Sequence, residues 1–242
     1  MIDQLVVNGC SYNEVWASNK GPAELAKSLG LSSATSIALG GSSNSRILRT
    51  TIKHSYSNPI KSLYAVGLTF LNRWELPVAE ATADRVFEGR WINPQSQQYA
   101  GIQFIHGWTS EDTETFKNLQ FKASAFSEHE ILEDLMYRCA AVASDLTRRG
   151  HKVIFWNNCE ENVYWAMKED PDRFQLLNNK SLFVDSLVWA AIPWQHKQGA
   201  IPSQYEPGAT PPPDHLKHIL PEDYKHLNGY LTQWIKDNKI LQ

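Results

Sequence analysis

Leu5-Val6-Val7-Asn8-Gly9-Cys10-Ser11-Tyr12 is the stretch that decides how the rest of the chain is read. Residues 4–8 suit a buried strand, and the strand runs straight into a Gly-Xaa-Ser turn. Such a turn leaves a serine hydroxyl at the strand's carboxyl end, the rim where open α/β sheets bind ligands. Ser11 is therefore a candidate nucleophile; a serine in that turn also suits the simpler task of capping backbone groups.

Working outward, strands alternate with helices. Tyr12 to Lys20 reads as a polar loop carrying Trp16, and Pro22 to Gly30 as a short helix opened by proline and stopped by glycine. Ala34 to Leu39 is a second strand of small residues. It ends in Gly40-Gly41-Ser42-Ser43-Asn44, and a helix follows from about Ser45 to Tyr56 with Ile47, Leu48, Thr51 and Ile52 on one face. This second glycine-rich turn opens a helix, so its N–H groups and the helix dipole favour negative charge. Leu63 to Thr69 is apolar enough for a strand buried on both faces.

Residues 76–125 interrupt the pattern. The segment is polar, lacks a clear period and carries Trp91, Tyr99, Phe104, His106, Trp108, Phe116 and Phe121. It reads as an aromatic-rich insertion, either a lid or binding loop or a subdomain with its own core. Ser127-Glu128-His129-Glu130 is a capping box, and the helix it opens runs to about Arg149 with Leu132, Leu135, Met136, Cys139, Val142 and Leu146 as its stripe. Lys152 to Trp156 is a fourth strand. Glu160 to Leu177 is read as helical with a break near Pro171, Phe183 to Ile192 fits strand or helix, and residues 193–213 read as an irregular loop. A last helix spans about Pro221 to Asn238, with Tyr224, Leu227, Leu231, Trp234 and Ile235 inward and His226 at a solvated or core-edge position. The expected fold is α/β: a three-layer α/β/α sandwich on a mainly parallel, flavodoxin-like sheet, as one domain over residues 1–242.

Composition excludes several functions. The 242 residues are 42% apolar and 20% charged with a formal net charge of −3, enough for a sizeable core and no footprint for nucleic acid or an anionic membrane. No run is long enough to span a bilayer and no signal pattern opens the chain. The cysteines Cys10, Cys139 and Cys159 are odd in number and lack metal-ligand spacing, so they read as reduced thiols, and a cytoplasmic protein is expected.

A serine nucleophile needs a base, commonly a histidine oriented by a carboxylate. Asp214, His215 and His218 cluster just before the last helix. In a parallel sheet the loops at the strands' carboxyl ends share one rim, so their distance from Ser11 in sequence is no obstacle. The oxyanion of a tetrahedral intermediate needs donors, for which the N–H groups of Ser11 and Gly41 and the amide of Asn44 or Asn72 are candidates. Adjacent Asp214 and His215 aim poorly at one ion and no distant ligand set stands out, so neither a metal nor another cofactor is expected. The glycine turns fit no dinucleotide or phosphate-loop pattern, which leaves a phosphate or nucleotide binder as a weaker reading.

These motifs resemble those of the SGNH (GDSL-type) hydrolases. Gly9-Cys10-Ser11 is similar to the first block, with Cys10 where aspartate is common, and Gly40-Gly41 to the second, whose glycine N–H lines the oxyanion hole. Asp214-His215-Leu216-Lys217-His218, followed by Tyr224 and a helix, resembles the last block. The segment from Gly40 to Arg46, with Arg49-Thr50-Thr51, also resembles SGNH-like proteins of marine phages and bacteria to which no activity is attached. The resemblance implies ester hydrolysis, for instance of O-acetyl or short acyl groups on a carbohydrate, by a triad of Ser11, Asp214 and His218, with His215 as the alternative base. The expected partner is a small-molecule or glycan ester.

Two departures stand out. Where the third block usually reads Gly-Xaa-Asn-Asp, this chain has Gly67-Leu68-Thr69-Phe70, so the oxyanion asparagine is missing and Thr69, Asn72 or Asn44 would substitute. Asp214 lies four residues before His218 and one before His215, where the family's spacing is three. A catalytically decayed site that binds a glycan or peptide is the alternative function.

Overall fold

The computed structural model describes residues 1–40, 42–69, 71, 73–77, 102–106, 128–157, 170–184 and 224–242; for Ser11, Glu128, Asn157, His226 and the strands 73–77 and 102–106 it describes the backbone alone. In chain order the elements are β1 (Gln4–Asn8), α1 (Ser11–Ser18), α2 (Gly21–Ser28), β2 (Ser33–Ser36), α3 (Asn44–Ser57) and β3 (Ser62–Leu68). There follow β4 (Arg73–Pro77), β5 (Ile102–His106), α4 (Glu128–Arg148), β6 (Lys152–Asn157), a 3-10 turn at Gln175–Asn178 and α5 (Tyr224–Asp237).

Four strands form a parallel sheet in the order β2-β1-β3-β6. Phe183 adds a parallel bridge to Phe155 beyond β6, through Phe155 N–H to Leu182 O at 2.8 Å and Val184 N–H to Phe155 O at 2.8 Å. The start of the Phe183–Ile192 segment therefore runs as an edge strand; its remainder lies outside the described residues.

Alternation along each strand sorts the apolar residues onto two faces. Val6, Tyr64, Val66, Val153 and Phe155 face one way and pack on Ile47 and Leu48 of α3 and the whole predicted stripe of α4. Leu5, Val7, Leu63, Ala65, Ile154 and Trp156 face the other way, onto Trp16, Leu25, Ala26 and the α5 residues Tyr224, Leu227, Leu231, Trp234 and Ile235. Each of these fully buried aliphatic side chains contributes about 1.5–3 kcal/mol. The result is the expected α/β/α sandwich. Cys139 lies inside the α4 stripe, where burial pushes its thiol well above the usual range.

Three sequence expectations need amendment. The Tyr12–Lys20 loop is helix α1, with Trp16 fully buried edge-on to Trp156 at 6.1 Å between ring centroids. An antiparallel pair joins β4, at the entry to the insertion, with β5 inside it, registered from Arg73 opposite His106 to Pro77 opposite Ile102. Of the Glu160–Leu177 helix, the described part is a turn at 171–174 and the 3-10 turn rather than an α-helix. Among the described residues, no helix is long and apolar enough to cross a membrane.

Candidate active site at the rim of the sheet

The chain leaves β1 outward to β2, then returns to β3 on β1's other side. The carboxyl ends of β1 and β3 are thus the topological switch point, where sheets of this kind open a crevice. Asn8 ends β1 opposite Val66 of β3. Its buried amide Nδ2 is shared among Ile47 O at 2.8 Å, Thr50 Oγ1 at 2.9 Å and Thr51 Oγ1 at 2.8 Å, and its Oδ1 accepts the Gly9 N–H at 2.8 Å. Asn8 therefore ties the end of β1 to α3. A polar residue closing an apolar strand was visible in the sequence, but its partners were not.

Gly9 makes the turn. Its φ of +155° is open to glycine, and a Cβ there would land on the Asn13 side-chain amide, with even Asn13 Cβ only 2.9 Å away. Cys10 is the N-cap of α1, with no side-chain cap bond, and its carbonyl accepts from Asn13 N at 3.0 Å and Glu14 N at 3.1 Å. Ser11 is the first helical residue, one past the cap. The Cys10 thiol is buried.

The second glycine turn lies beside the first. β2 pairs with β1, and the pairing continues past β2 through Ile37 N–H to Val7 O at 2.8 Å and Leu39 N–H to Gly9 O at 3.1 Å. The next N–H, that of Gly40, donates to Glu14 Oε2 on α1 at 2.8 Å. Ser42 returns its N–H (3.3 Å) and its hydroxyl (2.6 Å) to Leu39 O, and Arg46 Nη1 donates to Ser42 Oγ at 3.0 Å. Ser43 caps α3 by accepting the Arg46 N–H at 3.1 Å.

Asn44, at the start of α3, faces the end of β3. Its Nδ2 donates to Thr69 O at 2.9 Å and its Oδ1 accepts Thr69 N–H at 2.8 Å. The amide thus bridges the second turn to the β3 exit, leaving at most one N–H for a substrate oxygen. Of the other candidates, Gly41, Asn72, Asp214, His215 and His218 lie outside the described residues, as does the Ser11 side chain. The helix that comes after the Asp-His segment is described. Tyr224 is buried in the cluster that holds Val7 and Trp16, and Trp16 Nε1 donates to Asn228 Oδ1 at 3.1 Å. Among the described residues, no group of three or more His, Cys, Asp or Glu side chains could hold a metal ion.

Sequence offered no signal for Glu14, whose role needs the fold. No family model matches the chain, and no curated protein matches it in sequence. Solved structures do. The psychrotrophic esterase EstA from Pseudoalteromonas sp., inhibited by monoethylphosphonate, superposes with a TM-score of 0.51 at 7% identity over 97% of both chains. A lipolytic protein of G-D-S-L family from Desulfitobacterium hafniense gives 0.46 at 10% identity over 96% of this chain and 98% of that one. An acylhydrolase from Bacteroides fragilis gives 0.41 at 12% identity over 97% and 87%. Only the first likeness is close enough to argue from, and at that identity it is one of fold. This chain shares, almost end to end, the fold of the Pseudoalteromonas esterase.

Proposed function

We propose that the protein is a serine hydrolase that cleaves an ester, with a short acyl or O-acetyl group on a carbohydrate as the substrate class. The observation that carries this reading is the stitching of the two glycine turns by Leu39 N–H to Gly9 O and Gly40 N–H to Glu14. It supports a common site for the residues singled out independently in each turn, Ser11 and Gly41. The fold shared with an esterase supports it further.

In this mechanism Ser11 Oγ attacks the ester carbonyl and its proton passes to the imidazole of His218, with His215 as the alternative base and Asp214 orienting the ring. The oxyanion is held by the N–H groups of Ser11 and Gly41 together with a side-chain donor, Asn72, Thr69 or Asn44. Collapse expels the alcohol, protonated by the imidazolium, and leaves an acyl-Ser11 ester that water hydrolyses by the same steps. Tyr224 comes six residues after His218, a span of at most about 20 Å. The burial of Tyr224 in the cluster that holds Val7 and Trp16 therefore supports a base within reach of the rim.

A fluorophosphonate probe tests this directly. Wild-type protein should be labelled and Ser11→Ala should not; equal labelling of both, or of neither, rejects the hydrolase. The engagement of Asn44 with Thr69 favours one rival, a glycan- or peptide-binding module on the same fold. That rival is supported if p-nitrophenyl acetate turns over no faster than with Ser11→Ala while a glycan array shows binding.

A further inference from the structure

We infer that Glu14 is a positioning residue of this site, fixing the second glycine turn onto the helix that begins with Ser11. The inference rests on the hydrolase reading above.

β2 is short, lies at the sheet edge and is half exposed, so it gives the second glycine turn only a weak anchor. Its pairing with the end of β1 stops at Leu39. Beyond Leu39 come two glycines, the residues with the greatest backbone freedom. An oxyanion donor lowers a barrier only if it is already in place when charge develops. The Gly40 N–H finds its anchor in Glu14 Oε2 at 2.8 Å. Glu14 stands three residues after Ser11 in the first turn of α1, and its own N–H is bonded to Cys10 O at 3.1 Å. One short, rigid path therefore joins the backbone at Ser11 to the backbone at Gly40. On the far side of the turn, buried Arg46 holds Ser42, whose hydroxyl holds Leu39 O. The turn is gripped between a carboxylate and a guanidinium.

A carboxylate suits this place for two reasons. It favours the first turn of a helix, and a charged acceptor makes a stronger bond than a neutral one. The bond also assigns the two glycines different tasks. The Gly40 N–H is taken by the protein, and the substrate's oxyanion is left to the N–H of Gly41.

The test compares Glu14→Gln, Glu14→Asp and Glu14→Ala in steady-state turnover of p-nitrophenyl acetate, with fluorophosphonate labelling of Ser11 and urea unfolding alongside. Glutamine keeps an acceptor oxygen at the same reach and should hold kcat within about 3-fold. Aspartate is one methylene short and alanine has no acceptor. Both should lower kcat by about 10–100-fold with KM nearly unchanged, while Ser11 still labels. A merely structural role would instead lower stability in step with activity and leave the kcat of the folded fraction intact. Unchanged kcat in Glu14→Ala, or a loss in Glu14→Gln equal to that in Glu14→Ala, overturns the inference while wild-type labelling keeps the hydrolase. Absence of wild-type labelling rejects the hydrolase itself and the inference with it.

Discussion

Asn44 and Thr69 hold each other by two hydrogen bonds, side-chain amide to backbone N–H and backbone carbonyl, at 2.8 and 2.9 Å. The pair closes the switch point by joining the start of α3 to the end of β3, and both residues are buried. Asn44→Ala strands a buried donor and a buried acceptor on Thr69. It should cost about 2–4 kcal/mol in urea unfolding. Asn44→Asp should be nearly as costly, because a carboxylate accepts the N–H but repels the carbonyl.

Gly9→Ala should destabilise by about 3 kcal/mol, from an unfavourable φ together with overlap with Asn13. The two contributions separate in a double mutant. Adding Asn13→Ala removes the overlapping amide and should restore part of the loss, leaving the backbone part and the contact with the Cβ of residue 13. Additive losses in the denaturant curves would contradict the steric assignment.

Asn228 joins the two ends of the described chain. It accepts from Trp16 Nε1 and donates to Gly21 O at 3.0 Å. Asn228→Ala orphans the Trp16 N–H in the core and takes a donor from Gly21 O, and should cost about 1–3 kcal/mol. A cycle with Trp16→Phe, which keeps the ring bulk but lacks the N–H, should show a coupling of about 1 kcal/mol.

Acid should weaken the fold through His151. Its ring is buried and edge-on to Tyr64, its Nδ1 accepts the Ser62 N–H at 3.2 Å, and burial lowers its pKa first of all. Lys61, Arg149 and His54 lower it further, against a raising hydrogen bond to the Ser55 backbone. His54, bonded to Tyr64 Oη at 2.9 Å, is lowered by burial too. A histidine depressed in the folded state takes up its proton more readily when unfolded. Its contribution is therefore complete above the ordinary value of 6.5 and is lost as pH falls from there through the folded value. Thermal melts should move down as pH drops below 6.5, and His151→Asn should flatten that slope.

What the sequence made legible was what periodicity and turn chemistry encode. Leu5, Val6 and Val7 announced a buried strand, and the residues from Leu132 to Leu146 announced α4. Helix α1 was not legible because Ser11–Ser18 has no apolar stripe: Val15, Trp16 and Ala17 are consecutive. Tertiary contacts hold it, above all Trp16 in the core and Glu14 on Gly40. The pairing of β4 with β5 was hidden because its partners lie more than twenty residues apart and neither carries a hairpin turn. Asn44 read as a donor to substrate because an amide looks the same whether it faces a ligand or a backbone; only the position of Thr69 distinguishes the two.

The packing of α5 over Leu5, Val7, Ala65 and Ile154 also bears on how the molecule is made. A ribosome that has released β1, β3 and β6 has released α3 and α4 for one face, but for the other only α1 and α2 of its described cover. The part of that face that α5 covers stays greasy and open until residue 240 has emerged, because Ile240 itself belongs to the cover. Nascent chains of this protein should therefore engage chaperones until late in synthesis, and stopping translation before Tyr224 should yield aggregates rather than a smaller folded unit.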